Sequence, residues 1–192
     1  MIIAVSMRVT ESPDHAELRD AISHDWMRLL ASLDVTPVPV PNVLPDPPAY
    51  LRAVGARGLI LTGGEDIGPM AGEAGADQAP PTRDRTERDL QREVAHSASH
   101  VATRHEVELR EPRWLALAGG AALLTNSFHR QGVTLPRLAK PLRASAVAHG
   151  EIVEGLRHPE LPVVGVQWHP ERENPSAAFD RALILEWLAQ CA

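Results

Sequence analysis

A chain of 192 residues, 44% hydrophobic and 23% charged, is long enough to bury one core without disulfides or metal, so a single domain over 1–192 is expected. Its net charge of −6 disfavours a nucleic-acid or anionic-membrane surface and leaves small molecules or proteins as partners. The only cysteine, Cys191, cannot close an internal disulfide, and the opening "MIIAVSMRV" has neither the basic flank nor the apolar length of a leader or a membrane span, so a cytoplasmic protein is expected.

In chain order, "IIAVS" (2–6) is a β-branched run of the kind that forms a buried strand. Leu18, Ile22, Trp26, Leu29, Leu30 and Leu33 recur at helical spacing, which predicts an amphipathic helix over 15–33 capped by Asp14. "VTPVPVP" (35–41) alternates apolar residues with proline, and proline cannot donate to a ladder, so it reads as an edge strand. "GLILTGGED" (58–66) is a buried strand running into a glycine turn. This βαβ opening predicts an α/β fold with a mainly parallel sheet.

Residues 70–81 are small and unpatterned, hence a surface loop able to act as a lid, and the charged stretch 83–95 reads as a solvated helix. Short strands are then expected at 105–109, 122–125, 144–148, 151–154 and 163–167, with no helix between them. A closing helix over 176–190 places Phe179, Leu183, Trp187 and Leu188 on one face.

Three stretches carry residues suited to chemistry. In "VVGVQWHPE" (163–171) a strand delivers His169 and Glu171 at its C-terminal end, where open α/β sheets bind ligands. An imidazole oriented by a carboxylate can take a proton from a nucleophile, although such a turn also serves simply to end a strand. In "LTGGED" (61–66), Gly63 and Gly64 let backbone N–H groups approach a ligand as an oxyanion hole, or merely make a turn. "NSFHRQG" (126–132) offers Asn126, Ser127, His129 and Gln131 to a polar substrate, or is only a polar loop. His96 and His100 stand at the spacing of a helical metal pair near His105, but the context of a metal motif is lacking, so neither metal nor cofactor is expected.

Taken together, "LILTGGEDIGP", "RDRTERDL", "NSFHRQGV" and "VVGVQWHPE" resemble the class I glutamine amidotransferase family, and within it the γ-glutamyl hydrolase, or peptidase C26, branch. "ELRDAISHDWMRLLASLDVTPVPVPN" is also similar to a small bacterial group that includes γ-glutamyl-CDP-amidate hydrolases. The resemblance implies a flavodoxin-like open sheet with flanking helices, a γ-glutamyl or glutamine-like ligand, and His169 with Glu171 as the catalytic His and Glu. It also implies a cysteine nucleophile on an elbow resembling "GxCxG" before the "HEVEL" strand. This chain has no such elbow: "LQREVA" passes through "HSASHVAT" directly to "RHEVEL", so a strand-elbow-helix unit of roughly 25–30 residues is absent. Ser97 and Ser99 lack the glycine-flanked turn that exposes a nucleophile. Either the unit has been lost or this sequence omits it. In a sheet without that unit Leu59, Ile60 and Leu61 either pair with a strand from the second half or stay on an open apolar edge, which predicts a homodimer or aggregation.

Overall fold

The computed structural model describes residues 1–12, 14–63, 95–96, 101–129 and 131–192, with the side chains of 95–96, 101–102 and 131 left aside. Gly64, the 70–81 loop, Ser97, Ser99, His100 and the 83–95 helix short of its last residue therefore lie outside the described residues. Two compact units emerge, Met1–Arg88 with Cys191–Ala192, and Asp89–Gln190. Among the described residues no helix is long and apolar enough to cross a membrane.

In the first unit β1 (Ile2–Ser6) buries Ile3, Ala4 and Val5 completely. β2 (Arg8–Glu11) and β3 (Leu18–Ala21) form an antiparallel hairpin, and α1 (His24–Ala31) follows. The first part of the helix expected over 15–33 is thus strand. Leu18 only mimics helical spacing and is exposed, whereas Trp26, Leu30 and Leu33 form the buried stripe. The cap is Ser23, whose hydroxyl accepts the Asp25 N–H, and not Asp14. Asn42 pins the hairpin by donating to the Asp20 carboxylate and the Met7 carbonyl.

β4 (Thr36–Val40) pairs in parallel with β1. The Thr36 N–H reaches the Met1 carbonyl, so by alternation Pro37 and Pro39 turn their missing donors to the side without a neighbour, as an edge strand requires. α2 (Pro47–Ala53) starts at an Asp46 cap with prolines in its first turn, a start signal that reading by apolar period alone passes over. β5 (Gly58–Ile60) completes the parallel sheet in the order β4-β1-β5. Beyond it Thr62 bonds twice to Ser6, carrying the chain to Gly63 at φ +70°.

The second unit contains β6 (Ala95–His96), β7 (Val101–Leu109), α3 (Pro112–Ala118), β8 (Ala122–Phe128), β9 (Gln131–Thr134), β10 (Arg143–Ala148), β11 (Ile152–Arg157), β12 (Val164–Val166) and α4 (Ala177–Cys191). The sheet runs β6-β9-β11-β10-β7-β8, with β12 also on β11. The architecture is mixed α/β with a parallel sheet and helices, but among the described residues parallel pairing is confined to β4-β1-β5. Pairing in the second sheet is antiparallel throughout the described residues, including β7 with β8, between which α3 lies in sequence. α3, absent from the sequence expectation, starts on Pro112 and stops on the left-handed Gly119. Its Trp114 meets Trp168 and Phe179 edge-on at 6.2 and 5.7 Å, at the centre of a core that includes Val107, Leu109 and Leu183. Gly155 on β11 makes room for it: a Cβ there would collide with the indole.

Candidate functional site

The chain leaves β12 at Val166 and places Trp168 inward and His169 at the surface of the second unit. His169 Nδ1 lies 2.7 Å from Glu171 Oε1; the carboxylate is 2% exposed and the imidazole 22%. Since an ionised carboxylate only accepts, this contact assigns the proton to Nδ1 and leaves the Nε2 lone pair to act as a base. The two side chains that the sequence places at the end of this strand are therefore in direct contact. The Phe128 ring stands edge-on to His169 at 5.4 Å and carries the Arg172 guanidinium over its face at 4.2 Å.

The dyad loop is held from a distance in sequence. Asn126 Oδ1 accepts the His169 N–H at 2.8 Å, while Asn126 Nδ2 donates to the carbonyls of His169 and Glu173 at 2.9 and 3.2 Å. The Asn126 N–H in turn donates to Asn174 Oδ1 at 3.1 Å. Asp180 on α4 closes the arrangement: it accepts from Trp168 Nε1, Asn174 Nδ2 and Ser176 Oγ, at 2.8, 2.7 and 2.9 Å. The loop is thereby tied to one buried carboxylate on both sides of the dyad.

Burial pushes the Asp180 carboxyl up to about 6, against the pull of its three hydrogen bonds. A carboxyl that holds its proton more tightly when folded favours folding at low pH, and that contribution is lost as pH rises from about 4 through about 6. In denaturant titrations across this window, Asp180→Asn should flatten the pH dependence relative to the parent chain. A variant whose stability follows pH as the parent's does would contradict the assignment.

"NSFHRQG" is not the expected loop: Asn126 and Ser127 belong to β8, and both are buried. His129 turns to Glu154, which is fully buried and lies 3.4 Å from both His129 Nε2 and His105 Nε2. Burial would raise the Glu154 carboxyl, but the two imidazoles more than offset it and hold it at about 2. This cluster spans β7, the end of β8 and β11, and sequence reading missed it because its members are 24 and 25 positions apart. The Gln131 side chain and Gly64 are outside the described residues, and Gly63 belongs to the first unit.

A cleft of about 280 Å³ opens beside Phe128 and the dyad loop, lined by Thr103, Arg104, Asn126, Phe128, Arg172 and Glu173. A larger one, about 500 Å³, is lined by Glu106, Glu108, Arg110, His149 and Glu151, among others, and contains neither dyad residue. Neither dyad residue lines either cleft, but the smaller one shares Asn126, Phe128 and Arg172 with the immediate surroundings of His169.

Residues 91–171, which end on Glu171, match the Peptidase C26 family model. A crystal structure of a candidate GMP synthase component from Thermoplasma acidophilum superposes with a TM-score of 0.66 at 16% identity, covering 100% of this chain and 94% of that one. The glutamine amidotransferase of Methylobacillus flagellatus gives 0.54 at 16% identity, over 98% and 74% of the two chains. The chain has the class I glutamine amidotransferase fold. Among curated proteins, NtpR of Enterococcus hirae is 36% identical over 89 residues, 45% of this chain; the chain spans only 36% of that protein's length.

The chain's one thiol groups with the first unit, apart from the His169–Glu171 pair of the second. Cys191 is the last residue of α4, buried in the first unit's grouping, with its carbonyl accepting from Arg57 Nε at 3.1 Å. Burial pushes its pKa up, partly countered by the Arg57 charge, so the reactive thiolate is disfavoured.

Proposed function

We propose that this chain is a γ-glutamyl amide-recognising domain of the γ-glutamyl hydrolase type that has lost thiolate chemistry, and that it binds its ligand in a regulatory role. The observation that carries this is Cys191: the sequence holds one thiol, on the last turn of the closing helix, buried and protonated, and no glycine-flanked cysteine anywhere. Without a covalent nucleophile, the His169–Glu171 pair has no proton to take. Its ligand is a small γ-glutamyl or glutamine-like compound, and its single reduced thiol suits a cytoplasmic setting.

The test is direct. The 192-residue chain should release no ammonia from glutamine and no amine from γ-glutamyl amides in a coupled assay. Turnover that survives Cys191→Ser but vanishes in His169→Ala would overturn the reading. A second reading, a working hydrolase whose nucleophile comes from elsewhere, is favoured by one fact: the His169–Glu171 contact is still assembled at 2.7 Å with the imidazole partly exposed.

Assembly follows from the parallel sheet. Among the described residues β5 pairs only with β1, and Leu59 and Leu61 are each 40% exposed beside that open edge. Unpaired backbone groups flanked by apolar side chains favour pairing with a second chain, most simply about a two-fold axis. Light scattering during size exclusion should therefore report twice the 20.9 kDa chain mass. A sharp monomer peak that persists on concentration would refute the dimer.

A further inference from the structure

We propose that the cleft beside the dyad is an oxyanion subsite, in which Arg104 and Arg172 take up a carboxylate or phosphate group carried by the ligand. The inference rests on the preceding reading only in placing the rest of that ligand at His169; the anion site itself is argued from the cleft.

Arg172 is built into position rather than waving in solvent. Its guanidinium lies 4.2 Å over the Phe128 ring, and its Nε is 3.5 Å from the buried Glu171 Oε1. Stacking and a carboxylate on the Nε edge fix the plane of the fork. Its terminal nitrogens make no hydrogen bond among the described residues. Arg104 reaches the same cleft from β7, where its register partner on β8 is Asn126, the residue that anchors the dyad loop. Among the described residues its guanidinium pairs with Glu173 Oε1 at 3.4 Å, and the Glu173 side chain is 94% exposed. Such a pair is worth little and is readily exchanged for a better acceptor.

Two guanidinium groups thus line about 280 Å³ together with one carboxylate, that of the exposed Glu173, which an incoming anion would displace from Arg104. Planar forks match the two oxygens of a carboxylate or phosphate. Phe128 touches both His169 and Arg172, so an anion on Arg172 holds the remainder of a small ligand within reach of the imidazole. The pair therefore selects for ligands that carry negative charge next to the amide.

The experiment titrates inorganic phosphate and, separately, glutarate into the full chain, following arginine Nε–H resonances by NMR and heat by calorimetry. The expected result is saturable binding that shifts Arg104 and Arg172 before other arginines, weakens with added salt, and falls at least tenfold in Arg172→Gln. Tighter binding of one probe identifies the source of the charge. Arg172→Lys should recover only part of the loss, because an ammonium cannot offer the two-pronged geometry. Both side chains are substantially exposed, so the variants should keep the parent's unfolding midpoint. Unchanged affinity in an Arg104→Gln, Arg172→Gln double variant, or shifts confined to other arginines, would overturn the subsite. Anion binding at these residues without any amide turnover would leave the subsite standing and count against a hydrolase; turnover with a KM indifferent to Arg172→Gln would do the reverse.

Discussion

Trp114→Ala should cost about 3–5 kcal/mol of unfolding free energy, the range for emptying a buried aromatic site. The side chain is 2% exposed and packs against Trp168, Phe179 and the bare backbone of Gly155. Against a typical domain stability of about 5–15 kcal/mol, that is a large share of the total. Gly155→Ala should also destabilise, since its methyl would collide with the indole ring. The two effects share one space, so the double variant should cost less than the sum of the singles. Urea denaturation followed by circular dichroism measures all three. Strict additivity would mean that Trp114 and Gly155 are not in contact.

Asn126→Ala should cost about 2–4 kcal/mol and disturb the dyad without touching it, on the basis of roughly 1–3 kcal/mol for each buried group left unsatisfied. Truncation removes three hydrogen bonds at once and leaves the His169 N–H and two carbonyls seeking partners in a part-buried loop. Asn126→Asp should be no better, because a carboxylate keeps the acceptor but sets negative charge against two carbonyl oxygens. The diagnostic readout is the imidazole titration of His169 by NMR: a positioning role requires its midpoint and tautomer to move in both variants. A variant that loses stability while the His169 titration stays fixed would reduce Asn126 to scaffolding.

How much of this was legible in the sequence depends on how far apart the partners lie. His169 and Glu171 are two positions apart at the end of an apolar run, so the dyad could be read directly. Ile2–Ser6 and the proline-bearing edge strand were equally local. Asn126 and Ser127 read as loop residues because they are polar; what holds Asn126 in the strand and buries it is a set of acceptors and donors on 169–174, more than 40 positions on. Leu18 and Ile22 fell into step with the helix that follows them, and only the hairpin pairing with Arg8–Glu11 removed Leu18 from it. α2 and α3 each begin on proline, and a reading that weighed start signals beside apolar period would have found both.

The Glu154 carboxylate has a consequence for how β7 and β8 find each other. Side chains alternate along a strand, so a hairpin slipped by one residue presents the opposite set of side chains to β11. In the native register His105 and His129 meet the buried carboxylate. A slip that brought Phe128 to the place of His129 would offer a ring with no proton to give, and a buried charge would lose the imidazole beside it. The triad thus adds, at one interior point, a charge-based preference for the strand alignment in which Asn126 also bonds to the His169 loop.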